Sequence, residues 1–375
     1  MQVTPSLNVG GVEAVTLDIA RAVAGQGARS LVASRGGDGA AGLARYGAEW
    51  IAAPVHARDP LTVAINIARL AAVIRRERVS LVHVRSRAPA FSAIAAARRA
   101  GVPVVASYHG IYGARTSLKR WYNGIMTRGD LVIANSAFTR DHVVAEHDVA
   151  AHRIVVVPEG IDTALFDPAA VSPARVQALR AAWGLAGGRR RVILAPARLT
   201  AWKGQIALVE AFGRRPTRGD AVLVLTGRPD DHAYVDKIMA AATRFDVLRH
   251  VRFVGAVSDM PAAYALADVV AAPSLKPESF GRSVVEAGAM GRAVLASDLG
   301  GPAETVVHDQ TGWLIAPGDI GAWTRALDKA LATPSRDLAR MGEAARVRVI
   351  ARYDLAVTIE ATFAVYRRLV EARGA

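Results

Sequence analysis

Short, unbroken apolar runs recur along the whole chain, and longer stretches with apolar residues at helical spacing lie between them. In the first half the runs fall at residues 2–5, 30–34, 50–53, 81–84, 104–107, 131–135 and 154–157. They are bounded by Gly, Pro or Asp, as strands buried on both faces are. The helical stretches are 12–24, 61–76, 89–100, 118–127 and 137–147. Repeated strand–helix units predict a parallel sheet with right-handed crossovers. The pattern pauses from Ile161-Asp162 to Ala186. Phe166-Asp167-Pro168 and Ser172-Pro173 there precede an amphipathic segment that ends at Gly187-Gly188. Such clustering of Pro and Gly marks a junction.

The pattern then restarts. Strands are predicted at 192–195, 221–226, 251–254, 269–272 and 293–297, and helices at 205–213, 234–245 and 260–266. Three helical segments close the chain, at 320–332, 337–352 and 355–371. The expectation is two doubly wound α/β domains facing each other. Ligands in such sheets sit at the C-terminal ends of the strands, so a cleft between the domains is the expected site. No tandem repeat or low-complexity tract interrupts this reading.

Composition narrows the chemistry. The 375 residues suffice for two core-bearing domains. The chain is 52% apolar and 6% aromatic with 33 Gly, which suits an Ala/Val/Leu-rich α/β protein. It has no cysteine, so disulfides, thiolate catalysis and thiolate metal sites are excluded. No apolar run is long enough to span a bilayer. The opening MQVTPSLNVGG lacks the layout of a signal peptide, and a bacterial-type cytoplasmic location is expected. The first strand is short, so the start is expected to lack a few residues. The formal charge is +14, which points to anionic partners: nucleic acid, a membrane face or an anionic substrate. Nearly all of it is Arg; Lys occurs only at 119, 203, 237, 276 and 329, so each Lys departs from the chain's habit.

The stretch with most chemistry is PESFGRSVVEAGAMGRAVLASDLGGPAE, from Pro277 to Glu304. Glu278 sits in a turn just before an apolar helix, and Glu286 lies within that helix. Phe280, Gly281, Arg282 and Ser283 form the expected helix start, where unpartnered N–H groups and the helix dipole attract anions. The segment therefore offers two acceptors for sugar hydroxyls with a phosphate cradle between them. Taken alone, the two glutamates are also what a solvated helix end carries.

Four further features bear on this. Arg198 and Lys203 flank a short loop after a buried-looking strand, where fixed cations can stabilise a departing diphosphate; as isolated residues they are ordinary surface cations. Gly10-Gly11 joins the first strand to the first helix and lets backbone approach phosphate. His109 follows the strand 104–107 and either faces a ligand or is a satisfied loop histidine. The first half also carries Arg75, Arg76, Arg78, Arg85, Arg87, Arg98, Arg99 and the run from Arg115 to Arg128. There Leu118-Lys119-Arg120-Trp121-Tyr122 suits a helix resting on an anionic membrane, or a solvated basic face. Dinucleotide and P-loop glycine signatures are absent, and no zinc-finger or RNP-type signature supports nucleic acid. No second His at ligand spacing and no Asp-x-Asp occurs, so no metal is expected to be required.

These residues together resemble the retaining family-4 glycosyltransferases of GT-B fold, over essentially the whole length. The most specific part is ESFGRSVVE, Glu278 to Glu286, with the downstream Gly-Gly-x-x-Glu. Gly10-Gly11, Arg198 with Lys203, and Pro158-Glu159-Gly160-Ile161-Asp162 add to it. The resemblance implies two Rossmann-like domains: 1–168, rejoined by a last helix at 355–375, on the acceptor side, and 169–354 on the donor side. It implies that Glu286 holds the ribose hydroxyls and Glu278 the hydroxyls of the transferred sugar. The amides of Phe280 to Ser283 would meet sugar and phosphate, and Arg198 and Lys203 would grip the diphosphate under Gly10-Gly11. His109 would contact the sugar near the reacting centre, and Val254, Gly255 and Val257 would border the base. Arg282-Ser283 replaces a more usual aliphatic pair, and Glu159 stands where relatives often carry Asn.

The implied reaction is sugar transfer from a nucleotide-sugar co-substrate, with no other cofactor, to a hydroxyl of a glycolipid or glycan at the membrane. The expected setting is lipopolysaccharide-core or other surface-polysaccharide synthesis. A soluble acceptor, or a non-catalytic polyanion-binding role, is the alternative.

Overall fold

A computed structural model describes residues 1–8, 10–185, 190–217 and 219–372. Gly187-Gly188, expected to end the junction, lie outside the described residues. The chain forms two compact units, Met1–Gly160 with Ala356–Ala375, and Ile161–Leu355.

The first unit contains β1 (Gln2–Val3), α1 (Gly11–Gly25), β2 (Ser30–Ser34), β3 (Ala48–Ala52), α2 (Pro60–Arg76) and β4 (Val82–Val84). It continues with α3 (Arg87–Arg99), β5 (Val104–Tyr108), α4 (Ser117–Asn123), β6 (Leu131–Ala134), α5 (Ala137–His147) and β7 (Ile154–Val156). The sheet order is β3-β2-β1-β4-β5-β6-β7, every pair parallel. Burial on both faces explains the unbroken apolar runs of the inner strands β2, β4, β5 and β6, whereas the edge strand β3 is mostly exposed. Local signals set the helix starts. Asp59 accepts from Thr62 N–H ahead of Pro60, and Ser136 accepts from Thr139 N–H, each satisfying an otherwise unpaired donor. The helix expected at 118–127 is shorter, because Gly124 opens a 3₁₀ turn over Gly124–Arg128.

The second unit holds α6 (Pro173–Ala182), β8 (Arg191–Pro196), α7 (Gln205–Gly213), β9 (Ala221–Thr226), α8 (His232–Arg244) and β10 (Val251–Gly255). Next come α9 (Met260–Leu266), β11 (Val269–Ala272), α10 (Arg282–Ala289), β12 (Ala293–Ser297), α11 (Gly301–Thr305) and β13 (Gly312–Ile315). The last elements are α12 (Ile320–Ala332), α13 (Ser335–Tyr353) and α14 (Leu355–Glu371). The sheet order is β10-β9-β8-β11-β12-β13, again all parallel. Both β13 and α11 are additions to the sequence reading. β13 has four residues and lies at the sheet edge beside β12, and α11 is a single turn. Neither is long enough to show a period.

The boundary between units falls at Gly160, not at 168. Ile161, Phe166, Trp183 and Leu185 belong to the second unit's core beside Tyr264 and Val284, so the apparent linker is the first layer of that unit. From Ala356 onward α14 belongs to the first unit. Its Val365 packs with Leu81, Val105, Leu131 and Val157. The Tyr366 hydroxyl hydrogen-bonds with His83 at 2.6 Å. Within the second unit the entering and leaving chain run side by side. Ile161 N–H donates to the Tyr353 carbonyl at 3.0 Å, and Leu355 N–H to that of Ile161 at 2.8 Å.

Candidate active site

In the second unit the strand order reverses between β8 and β11, the topological switch point where doubly wound sheets bind ligands. The loops leaving those two strands carry Lys203 and Glu278. They are tied together by Leu275 N–H donating to the Trp202 carbonyl at 2.7 Å. Gly204 is required here: its φ is +74°, and a Cβ would overlap the Pro273 carbonyl. The result is an ion pair, Lys203 Nζ to Glu278 Oε2 at 2.7 Å, between two largely shielded side chains. Ser274 Oγ donates to the other Glu278 oxygen. The ammonium also lies 4.5 Å from the Trp202 ring centroid, a cation–π distance.

The backbone of Glu278 to Phe280 rests on Gly300-Gly301. Gly301 N–H donates to the Glu278 carbonyl at 2.8 Å, and a Cβ on Gly301 would overlap the Phe280 backbone. The Gly-Gly of the sequence motif therefore permits direct backbone contact under Glu278. Gly281 (φ +87°) then starts α10 with no side-chain cap; Val284 N–H turns back to the Gly281 carbonyl at 2.9 Å, which leaves the N–H groups of Arg282 and Ser283 for other acceptors. Glu286, one turn in, accepts from Tyr264 OH at 2.9 Å and from Arg282 Nε at 2.8 Å. Tyr264 is fully buried; burial, then the Glu286 charge, push its phenol pKa far up.

Arg198 does not join this pair. Its guanidinium meets Asp230 at 3.2 Å in an exposed ion pair, while Gln205 donates to its backbone carbonyl at 2.9 Å. Asp231, the neighbour of Asp230, caps α8. Val254 and Val257 pack partly buried against the core. Gly255, between them, ends β10 with φ +66° and accepts from Gly227 N–H at 2.7 Å.

In the first unit, Gly10-Gly11 opens α1. Two carboxylates approach that turn: Glu13 crowds the Cβ position of Gly10, and Glu159 Oε1 lies 3.3 Å from that of Gly11. His109 follows β5, its ring nitrogens shielded. Burial, then the Arg85 charge, lower its pKa to about 3, so the ring is neutral. His109, Arg85, Asn135, Glu159 and Ser107 line a cavity of about 20 Å³, roughly the room one water needs.

Arg85 corrects the sequence reading. It is 3% exposed and its Nε donates to Gln2 Oε1 at 2.7 Å, so it is no part of a solvated basic face. Arg87 is also turned in, 3.8 Å over the Tyr112 ring. The outward side of α4 is Leu118 and Trp121, 75% and 54% exposed. Sequence reasoning missed Tyr264 and Ser274 and placed Arg85 on a basic face. Tyr264 and Arg85 act through contacts far away in sequence, Ser274 through Glu278 four residues on, and only the place of Arg85 just after an apolar run hints at its position.

Among the described residues no group of three or more His, Asp or Glu side chains is placed to hold a metal, and no helix is long and apolar enough to cross a membrane. Two doubly wound parallel sheets, one with a cation–carboxylate pair at its switch point, define a nucleotide-sugar-dependent glycosyltransferase of GT-B fold. Comparison with known proteins places it within that class. Residues 9–165 match Glycosyltransferase Family 4 and residues 179–348 match Glycosyl transferases group 1. The chain belongs to the family-4 glycosyltransferases. It is 34% identical over 67% of its length to 66% of the GDP-mannose-dependent alpha-(1-6)-phosphatidylinositol monomannoside mannosyltransferase of Mycolicibacterium smegmatis. It is 32% identical, over 68% of each chain, to the lipopolysaccharide core biosynthesis mannosyltransferase LpcC of Rhizobium leguminosarum bv. viciae. A crystal structure of a glycosyltransferase from Rickettsia africae superposes with a TM-score of 0.89 over 98% of both chains at 26% identity.

Proposed function

We propose that the enzyme is a retaining, metal-independent hexosyltransferase acting on a membrane-associated glycolipid in lipopolysaccharide-core or other surface-polysaccharide synthesis. The Lys203–Glu278 pair carries this reading. A fixed cation and a hydroxyl acceptor stand side by side, as departure of a diphosphate from a sugar requires. Lys203 takes the diphosphate, with Arg198 released from its exposed partner Asp230, and the uncapped start of α10 adds backbone donors. Glu278 turns to the sugar hydroxyls and Glu286 to the ribose diol. The bond from the anomeric carbon to the phosphate oxygen breaks, its electron pair leaving on that oxygen. The acceptor oxygen bonds the same face of the carbon, and its proton passes to the departing oxygen. We assign neutral His109 to hydrogen bonding, not to proton transfer from an imidazolium.

A largely shielded Lys supplies at the leaving group the charge that a metal supplies elsewhere, which supports metal independence. The names of the mycobacterial and rhizobial relatives support a glycolipid acceptor and make GDP-mannose the first donor to try. Exposed Leu118 and Trp121 beside Lys119 and Arg120 support an anionic membrane surface as a partner.

The test is a panel of UDP-, GDP- and ADP-sugars in EDTA, read by nucleotide release and by the anomeric configuration of the product. Release of one nucleotide in EDTA with retained configuration supports the proposal. An inverted product, or activity only with added divalent metal, overturns the corresponding part. Sedimentation with anionic vesicles at low salt tests the membrane partner, and no binding there removes it.

A further inference from the structure

A second charged cluster lies within the first unit, built by three connections that leave strand C-termini. Arg58 follows β3 and precedes α2, Arg87 follows β4 and opens α3, and Tyr112 and Tyr122 follow β5, the latter within α4. Such strand ends are where doubly wound sheets hold ligands. Two guanidiniums converge on one ring here: Arg58 lies 5.8 Å and Arg87 5.7 Å from the Tyr122 centroid. Arg87 also stands 3.8 Å over Tyr112, and its Nη1 donates to Asn123 Oδ1 at 2.6 Å. Asn123 in turn donates to the Tyr112 carbonyl at 3.2 Å, which ties the guanidinium and the ring it covers to the same side chain.

The cluster has no carboxylate to match its charge. Among the described residues neither Arg58 nor Arg87 forms an ion pair, and Asn123 is the one hydrogen-bond acceptor of the two. Asp59, beside Arg58 in sequence, turns its carboxylate to the Thr62 N–H at the start of α2. Where this chain uses arginine to hold its fold it supplies the counter-charge: Arg215 meets Asp220 and Asp328, and Arg175 meets Asp259. Cation–π contact at an exposed site contributes about 0.5–1 kcal/mol, but it neutralises nothing and leaves most of each planar fork open. Such forks fit phosphate. One helical turn from Tyr122, on the same side of α4, stand exposed Leu118 and Trp121. Phosphate next to an apolar surface is the order of groups in a lipid that carries its head group through a phosphodiester.

We propose that Arg58 and Arg87 form a phosphate site for the head group of the acceptor glycolipid, with Tyr122 as the positioning residue that holds the two guanidiniums together. This rests on the glycolipid-acceptor reading above and adds the chemical group that is recognised. A merely structural cluster would change stability when altered, but not the preference for a phosphate.

The experiment titrates the full chain and its R58Q, R87K, Y122F and Y122L variants at low ionic strength by NMR or calorimetry. The probes are glycerophosphoinositol against myo-inositol, mannose 6-phosphate against mannose, and inorganic phosphate. Thermal unfolding serves as the folding control. In the wild type the phosphate-bearing member of each pair is expected to bind about fivefold or more tightly than its parent, and more tightly than inorganic phosphate. R58Q should reduce that preference to about twofold or less, and R87K, which keeps the charge but loses the fork, should reduce it in part. Y122L should weaken the phosphate esters, whereas Y122F, which keeps the ring, should bind as the wild type does. No preference within either pair, an unchanged preference in folded R58Q, equal binding by Y122L and Y122F, or inorganic phosphate binding as tightly as the esters would each overturn the inference. No donor is present, so these outcomes leave the transfer reaction standing. Absence of nucleotide release in the donor panel would remove that reaction without touching the binding measured here.

Discussion

Lys203 and Glu278, seventy-five residues apart in sequence, form a 2.7 Å ion pair whose side chains are 13% and 12% exposed. Each satisfies the other. On the reading proposed above, a donor separates them, its phosphates taking the place of the carboxylate on Lys203 and its sugar hydroxyls that of the ammonium on Glu278, so the two should be coupled in binding as well as in stability.

Removing one partner leaves the other shielded and unpaired. Lys203→Met or Glu278→Gln should each lower unfolding free energy by about 1–3 kcal/mol, and the double variant by less than their sum. Urea unfolding of the four proteins measures the coupling. In catalysis, Glu278→Gln should mainly reduce turnover, while Lys203→Ala should also weaken diphosphate binding. Unchanged diphosphate affinity in Lys203→Ala would remove Lys203 from that role.

The glycines between the site loops are not equivalent. Gly204→Ala places a methyl against the Pro273 carbonyl at positive φ and should push the Lys203 loop from the Glu278 loop. We expect a stability loss of about 1–3 kcal/mol and a fall in turnover. Gly25→Ala, at the end of α1 with nothing within 4 Å of its Cβ, should be neutral or stabilising by up to about 1 kcal/mol. Thermal unfolding and initial rates of both variants give the contrast.

The environment of His109 sets a pH dependence. Its folded pKa, about 3, lies below the ordinary histidine value of 6.5, so the unfolded chain binds the extra proton first as pH falls. The stability tied to the neutral ring is fully present above pH 6.5 and is lost progressively between there and about pH 3. His109→Gln should therefore flatten acid unfolding over that window. The rate profile should show no inflection near pH 6.5 that the same substitution removes.

Tyr366 holds α14 to the first unit's sheet through His83, whose other ring nitrogen hydrogen-bonds with Ser107 Oγ at 2.6 Å. Tyr366→Phe should cost about 1–2 kcal/mol through the lost partner of a buried imidazole, and Tyr366→Ala more, by the cavity it leaves. Limited proteolysis should release α14 sooner in the Ala variant.

Much of this was legible in the chain before any coordinates. Strands such as 30–34 and 269–272 declare themselves because burial on both faces leaves an apolar centre with no alternation to confuse the period. Glu278 and Glu286 stand out because a glycine-led helix start lies between them. Other features depend on contacts across the fold. Phe166 sits among turn-forming residues, and its place in the second core moved the boundary from 168 to 160. Arg85 has the composition of a surface cation but points inward to Gln2. Arg198 is paired with Asp230, thirty-two residues away. No local pattern encodes such choices, because each is decided by which loops the sheet order makes neighbours.

The chain's route has a consequence for its biosynthesis. The second unit is continuous, 161–355, whereas the first needs residues from both ends of the chain. On the ribosome the N-terminal sheet emerges early yet lacks the helix that covers Leu81, Val105 and Leu131 until residues 355–371 are made. The usual N-to-C order of domain completion is thus reversed: the later-synthesised half can finish folding first. Meanwhile an apolar face of the earlier half waits exposed, the point where a nascent chain would most need a chaperone.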